Sequence, residues 1–248
     1  MSASNTQKRV CLVIGAGEGV GGGIARAFAA EGFSVCVTRR ARNIAQLDGI
    51  VDQIRADGGE AHAFGVDARS EDETVALFEQ IERDIGPIEV LVFNIGANVR
   101  FGIRETTTRV FTKVWEMACL SGFLAGREAA KRMVPRGRGT ILFTGATASV
   151  RGGIGFAAFS AAKNGLRAVA QSMARELGPE GIHVAHVIVD GSIDGVFSRE
   201  NIPDVEARLE RDEILKPDDI ARNFVWLHHQ PKSAWTHEID LRPWKETW

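Results

Sequence analysis

Apolar residues in this chain come in short unbroken runs, each followed by a longer stretch in which they recur every three or four positions. Val10–Ile14, Ser34–Thr38, Ala61–Val66, Ile88–Phe93, Thr140–Thr144 and His183–Val189 are the runs. Apolar character on both faces suits strands of a parallel sheet covered from both sides. Ile24–Ala30, Ile44–Ala56, Asp72–Ile85, Thr108–Met133, Phe156–Leu177 and Asp218–His229 have helical spacing. Several of these helices meet Gly or Pro stops, at Gly32, Gly58-Gly59, Gly86-Pro87 and Gly178-Pro179. His237–Leu241 reads as a short last strand. Regular alternation of strand and helix implies right-handed crossovers and a doubly wound parallel sheet. With no repeat and no linker, the expectation is one Rossmann-type α/β domain over residues 1–248. Only residues 191–216 break the pattern.

Composition narrows the partners. Of 248 residues, 44% are hydrophobic and 25% charged, enough apolar material for a sheet buried on both faces. A net charge of -2 and a pI near 6.3 leave no basic footprint for nucleic acid or an anionic membrane surface. The start, Met1–Lys8, is polar, and Val10–Ile14 is too short for a signal-peptide core or a membrane span. Cys11, Cys36 and Cys119 have neither metal spacing nor a disulfide framework, which fits a reducing cytoplasm.

Between the first run and the first helix lies Gly15-Ala16-Gly17-Glu18-Gly19-Val20-Gly21. Glycines let backbone approach a pyrophosphate, and the free N–H groups and dipole at a helix start favour its charge. The spacing of Gly15, Gly19 and Gly21 resembles the Gly-x-x-x-Gly-x-Gly loop of the short-chain dehydrogenases/reductases. The resemblance covers nearly the whole chain. Val66-Asp67, followed by Ala68, resembles the family's acidic residue that contacts the adenine ring. Phe93-Asn94-Ile95-Gly96 is similar to its Asn-Asn-Ala-Gly segment. Asp190-Gly191 stands where the family has Pro-Gly, and Lys163 matches the lysine of its Tyr-x-x-x-Lys motif.

The resemblance implies a nicotinamide dinucleotide held by Gly15, Gly17, Glu18, Gly19, Val20, Gly21, Arg39, Arg40, Asp67, Ala68, Asn94, Gly96, Lys163 and Gly191. A site preferring NAD ends its second strand with a carboxylate for the ribose 2′-hydroxyl. That position falls at Arg39, with Arg40 next, and a guanidinium pairs instead with a 2′-phosphate. NADP is therefore preferred over NAD. Glu18 runs against this, because NADP binders of the family often carry a basic residue there, and Arg39, Arg40 and Arg42 are also compatible with plain solvation.

The catalytic positions depart from the family together. The chain contains no tyrosine, and the expected position reads Phe159-Ser160-Ala161-Ala162-Lys163. A phenyl ring packs like a phenol but has no proton to exchange. The family's serine position falls at Ala146, its asparagine position at Cys119, and the threonine that holds the carboxamide at Gly195. Thr147, Ser149 and Ser160 carry hydroxyls nearby, but an unassisted alcohol is a far weaker acid than a phenol. Ser160 should also point about 100° away from Phe159 around the helix. Asp190 and Asp194 are candidate acids, or turn-formers beside glycine. Cys119 is a candidate nucleophile, or a buried helix thiol.

Of the histidines, His183 and His186 lie in a strand, and His228-His229 ends a helix, where positive charge suits the dipole. The resemblance implies that residues 191–216 lid the substrate; their apolar residues suit a modestly hydrophobic ligand and would equally pin an ordinary loop. Trp226, Trp235, Trp244 and Trp248 crowd the C-terminal end, where the resemblance implies a homodimer or homotetramer, although they would equally cap the sheet. Two functions lead, with an isomerase or lyase that uses the nucleotide only as scaffold as a third reading. One is an NADP(H)-dependent oxidoreductase on a small carbonyl or alcohol with a nonstandard proton relay. The other is a catalytically silent NADP-binding sensor or oligomer partner.

Overall fold

The computed structural model describes residues 8–246; Met1–Gln7 and Trp248, on which some sequence expectations fall, lie outside the described residues. Seven parallel strands form one sheet in the order β3-β2-β1-β4-β5-β6-β7. They are β1 (Val10–Ile14), β2 (Ser34–Arg39), β3 (Glu60–Gly65), β4 (Ile88–Phe93), β5 (Gly139–Thr144), β6 (Ile182–Val189) and β7 (Glu238–Leu241). The helices are α1 (Val20–Ala30), α2 (Asp48–Ala56), α3 (Glu71–Asp84), α4 (Thr108–Trp115), α5 (Ser121–Met133), α6 (Ala157–Leu177), α7 (Val196–Asn201), α8 (Val205–Glu210) and α9 (Pro217–His228).

Strand β1 shows why the runs are unbroken. Its alternate residues Cys11 and Val13 enter the layer of α1, α2 and α9 with Ile24, Phe28 and Phe224. Val10, Leu12 and Ile14 enter the opposite layer of α3, α5 and α6 with Phe78, Ala125 and Leu166. A period of two with both faces covered demands apolar residues at every position. This is the doubly wound Rossmann-type fold that the alternation predicts. The strand order reverses between β1 and β4, which opens a crevice at the carboxyl ends of the strands.

Two helices differ from expectation. Ile44–Ala56 is not one helix: a 3-10 turn spans Ala41–Leu47, broken by Asn43 at φ -121°, and only then does α2 begin. Thr108–Met133 is continuous, but Glu116–Leu120 is a π turn between α4 and α5. The extra residue shifts every later side chain around the axis, and such turns concentrate at functional sites. Residues 191–216 hold α7 and α8, pinned by a bridge between Ile193 and Leu215 and by the Ser198 hydroxyl donating to the Ile193 carbonyl. Trp226 and Trp244 are exposed, whereas Trp235 stacks flat on His183 at 4.9 Å.

His228 corrects the sequence reading. It does not offer positive charge to the end of α9. Its ring sits edge-on to Phe28 and Phe33 and shares a 2.9 Å hydrogen bond with the Thr140 hydroxyl. Burial pushes its pKa down to about 4 from 6.5, against a weakly favourable setting at the helix end. His186, wholly enclosed in β6, is likewise pushed down to about 4 by burial, although Glu238 beside it pulls the other way. Both therefore stay neutral in the fold at pH values where the unfolded chain protonates them. The unfolded state binds more protons between pH 6.5 and about 4, so stability must fall as pH drops through that window. We expect the melting temperature to decline from pH 7 to 4.5, with a shallower slope in His228→Gln. A slope unchanged by that substitution would show that the ring is not buried neutral.

Candidate active site and cofactor cleft

Every strand on the reversal side delivers its last residue to the crevice. Strand β1 opens into the glycine loop, β2 ends at Arg39, β3 leads into Val66-Asp67, β4 into Asn94-Ile95-Gly96, β5 into Gly145-Ala146, and β6 into Asp190-Gly191. The loop is clamped from β4: the Asn94 side-chain amide donates to the Gly15 carbonyl at 3.1 Å, and its backbone N–H to Ile14 at 2.8 Å. No side chain caps Gly19 at the start of α1, and no acidic residue lies in the first turn. Those backbone donors are thus left for a ligand.

A pocket of about 200 Å³ lies beside this loop, lined by Thr38, Arg39, Arg40, Asn43, Asp67, Ala68, Arg69 and Met117 among others. Arg39 does not simply dangle in solvent. It is half-buried and donates to the Ala16 carbonyl at 3.0 Å, folded back over the loop. Glu18 is exposed and does not line the Arg40 pocket, but it shares an adjoining groove with Arg39, Gly17 and Gln46. Asp67 is clamped by Arg69, whose Nε and Nη2 donate at 2.9 and 2.5 Å, and this pairing lowers the carboxyl pKa. Arg69 also reaches Glu116 of the π turn at 3.8 Å. The sequence reading named Asp67 but missed Arg69; only the spacing Asp-x-Arg hinted at it.

Asn94, Ile95 and Gly96 line this pocket and also a second, larger cleft of about 770 Å³. The cleft takes in Gly19, Val20, Ala146, Phe159, Ser160, Lys163, Gly191 and Gly195. Lys163 is only 2% exposed, and its ammonium donates to the Thr144 carbonyl at 2.8 Å and the Ile95 carbonyl at 3.0 Å. Burial lowers its pKa from 10.5 to about 8.

Around Phe159 the surroundings are apolar. Phe159, Cys119, Ala148, Ala158, Ala162, Val114 and Ala118 form one buried cluster, with Ala146 and Phe156 packed against it. Cys119 lies in the π turn with its sulfur toward Gly165 of α6, and burial pushes the thiol up. A thiol held protonated this way is no nucleophile.

The hydroxyls are mostly engaged. Thr147 donates to Asp190, and the Ser149 hydroxyl accepts the Ala146 N–H at 3.0 Å. Ser160 does line the cleft beside Phe159, contrary to the helical-wheel expectation, and its buried hydroxyl has no partner. Asp190 is neither an open acid nor a simple turn-former. It is 2% exposed and receives Thr147, the Arg151 Nη2 at 3.2 Å to both oxygens, and Arg242 at 3.5 Å. Asp194 is paired with Arg199 at 2.8 and 3.0 Å.

Over residues 9–203 the sequence matches the family described as short chain dehydrogenase. The chain belongs to the short-chain dehydrogenase family. Members of this family are NAD(P)-dependent oxidoreductases. A solved short-chain dehydrogenase from Rhodopseudomonas palustris is 50% identical over 95% of this chain and 99% of that one, with a TM-score of 0.81. A 3-oxoacyl-[acyl-carrier-protein] reductase of Mycobacterium avium is 34% identical over 194 residues, 77% of this chain and 69% of its own. A metagenomic short-chain oxidoreductase solved in complex with NADP is 25% identical, covers 95% of this chain and 97% of that one, and has a TM-score of 0.78.

Within this short-chain dehydrogenase the donor set suits a dinucleotide: an uncapped helix start, guanidinium groups at the end of β2, and a buried ammonium across the cleft. A methyl group at Gly21 would lie 2.8 Å from both the Ala16 Cα and the Gly15 carbonyl, whereas one at Gly19 would meet nothing within 4 Å. Gly21→Ala should therefore lower both the melting temperature and the affinity for NADPH. Gly19→Ala should keep the melting temperature and lower only the affinity, by about tenfold or more, read by calorimetry. Unchanged affinity in Gly19→Ala would mean that nothing lies against that glycine.

Proposed function

We propose that this dehydrogenase binds NADP(H) in preference to NAD(H) and interconverts a small carbonyl and its alcohol, taking the proton from water. The observation that carries the reading is the continuity of the Arg39–Arg40 pocket with the large cleft through Asn94, Ile95 and Gly96. Arg39 and Arg40 would receive the 2′-phosphate, and the open N–H groups of α1 the pyrophosphate. Lys163 would hold the ribose facing the cleft. When bound, the nicotinamide supplies hydride exchange with a substrate carbon.

The residues around that point exclude most proton donors. Phe159 and Ala146 present no acidic hydrogen, and Asp190 is turned entirely toward donors of its own. The cleft opens to solvent, so water is left to supply the proton, at a lower rate than a tuned phenol would. The apolar cluster around Phe159 supports a second reading, in which the chain binds NADP without turnover. In either case the exposed Trp226 and Trp244 suit a homo-oligomeric contact, measurable as mass in solution at micromolar concentration.

A paired measurement separates the readings. NADPH should raise the melting temperature more than NADH does, and Arg40→Glu should erase or reverse that order. Equal shifts for both nucleotides would remove the NADP preference. Turnover of carbonyl compounds by the native chain marks the enzyme; binding without turnover, with activity appearing only in Phe159→Tyr/Ala146→Ser, marks the silent module.

A further inference from the structure

The large cleft is mostly apolar, built from Val20, Val189, Ile193, Phe156, Phe159 and the small residues near Ala146. Its lining contains only three charged side chains: Lys163, Asp194 and Arg151. Lys163 is buried, has two of its three donors on backbone carbonyls and is assigned to the ribose, and Asp194 is neutralised by Arg199 through two hydrogen bonds. Arg151 differs. Its side chain is 40% exposed to the cleft, and it reaches Asp190 through Nη2 alone, at 3.2 Å to each oxygen. No hydrogen bond to a described residue runs from its Nε or Nη1, although a guanidinium carries five donors in a fixed fork. Asp190 meanwhile also accepts from Thr147 and lies 3.5 Å from Arg242, a cation it shares with Asp240, so Arg151 is one of several donors around it.

The mouth above Arg151 is also unusual. Phe197 and Val196, which line the cleft, are 73% and 64% exposed, and Ile154, next in the chain to the lining Gly153, is 93% exposed. Large apolar side chains grouped at the rim of an apolar cleft mark a surface that a ligand covers.

We propose that the ligand of this cleft is an amphipathic carboxylate: its anionic end pairs with the guanidinium N–H groups of Arg151 that Asp190 leaves open, and its apolar body leaves past Ile154 and Phe197. A guanidinium edge matches a carboxylate with two parallel hydrogen bonds, and the surrounding apolar walls strengthen that pairing. The assignment rests on the cleft being the substrate site of the proposed oxidoreductase, and names the substrate class for it.

The test uses octanoate, octanamide and acetate as probes, titrated calorimetrically into the whole chain with and without NADPH. Octanoate should bind at least about tenfold more tightly than octanamide, which has the same shape without the charge, and more tightly than acetate, which lacks the body. Arg151→Gln should bring octanoate and octanamide to within about twofold of each other, while Arg151→Lys keeps part of the preference. Ile154→Ser should weaken octanoate and leave acetate unchanged. Equal binding of octanoate and octanamide by the native chain overturns the proposal without recourse to any variant, and so does a carboxylate preference that survives Arg151→Gln. NADPH affinity, measured in the same cell, is independent of Arg151. A native chain that binds NADPH but shows no carboxylate preference therefore sinks only this assignment, and absent NADPH binding sinks only the cofactor reading.

Discussion

A buried ammonium with no carboxylate beside it ties together the edge of the sheet where the crevice opens. Lys163 reaches from α6 to the Thr144 carbonyl at the end of β5 and the Ile95 carbonyl just beyond β4. Those strands are neighbours, and β4 in turn clamps the glycine loop through Asn94. Stripping water from a cation costs several kcal/mol, and two carbonyl dipoles return only part of it, which is why its pKa sits near 8 rather than 10.5. A residue kept at that cost in the middle of an apolar layer is held for its position. It fixes one wall of the cleft relative to the glycine loop.

The same buried position explains what the loss of the tyrosine does and does not change. Lys163 lies 6.0 Å from the Phe159 ring centre, with the ring's quadrupole facing a cation instead of a phenol oxygen. Removing the hydroxyl leaves no orphaned donor, because Cys119, Ala148 and Ala162 have closed around the ring as an apolar cluster. A relay with one member missing would leave unpaired polar groups, each costing about 1–3 kcal/mol. Here Ala146, Cys119 and Phe159, at the expected serine, asparagine and tyrosine positions, pack apolar together, and beside them the buried Ser160 hydroxyl has no partner. Restoring one hydroxyl alone would place a further polar group in this cluster.

The fold was legible because both faces of the sheet are covered. Unbroken runs such as Val10–Ile14 and the glycine loop leave few other arrangements, and most residues named for the cofactor line the pockets along the carboxyl ends of the strands. What the chain order concealed was mostly side-chain pairing across elements. Nothing near Asp190 in sequence shows that Arg151 and Arg242, 39 and 52 residues away, meet its carboxylate. His228 reads as a helix-end cation until Phe28 and Phe33 are seen on either side of it. The π turn at Glu116–Leu120 is silent for a different reason: one extra residue in a long amphipathic helix disturbs the apolar spacing too little to be noticed.

That π turn links the two halves of the crevice. Met117 lines the pocket beside Arg40, and two residues on, Cys119 packs beneath Phe159 in the other. Glu116, at the head of the same turn, faces Arg69, which is locked to Asp67 at the end of β3. The Arg40 pocket and the support of the Phe159 ring therefore share one turn of helix, which is tied to the end of β3 through Glu116, Arg69 and Asp67.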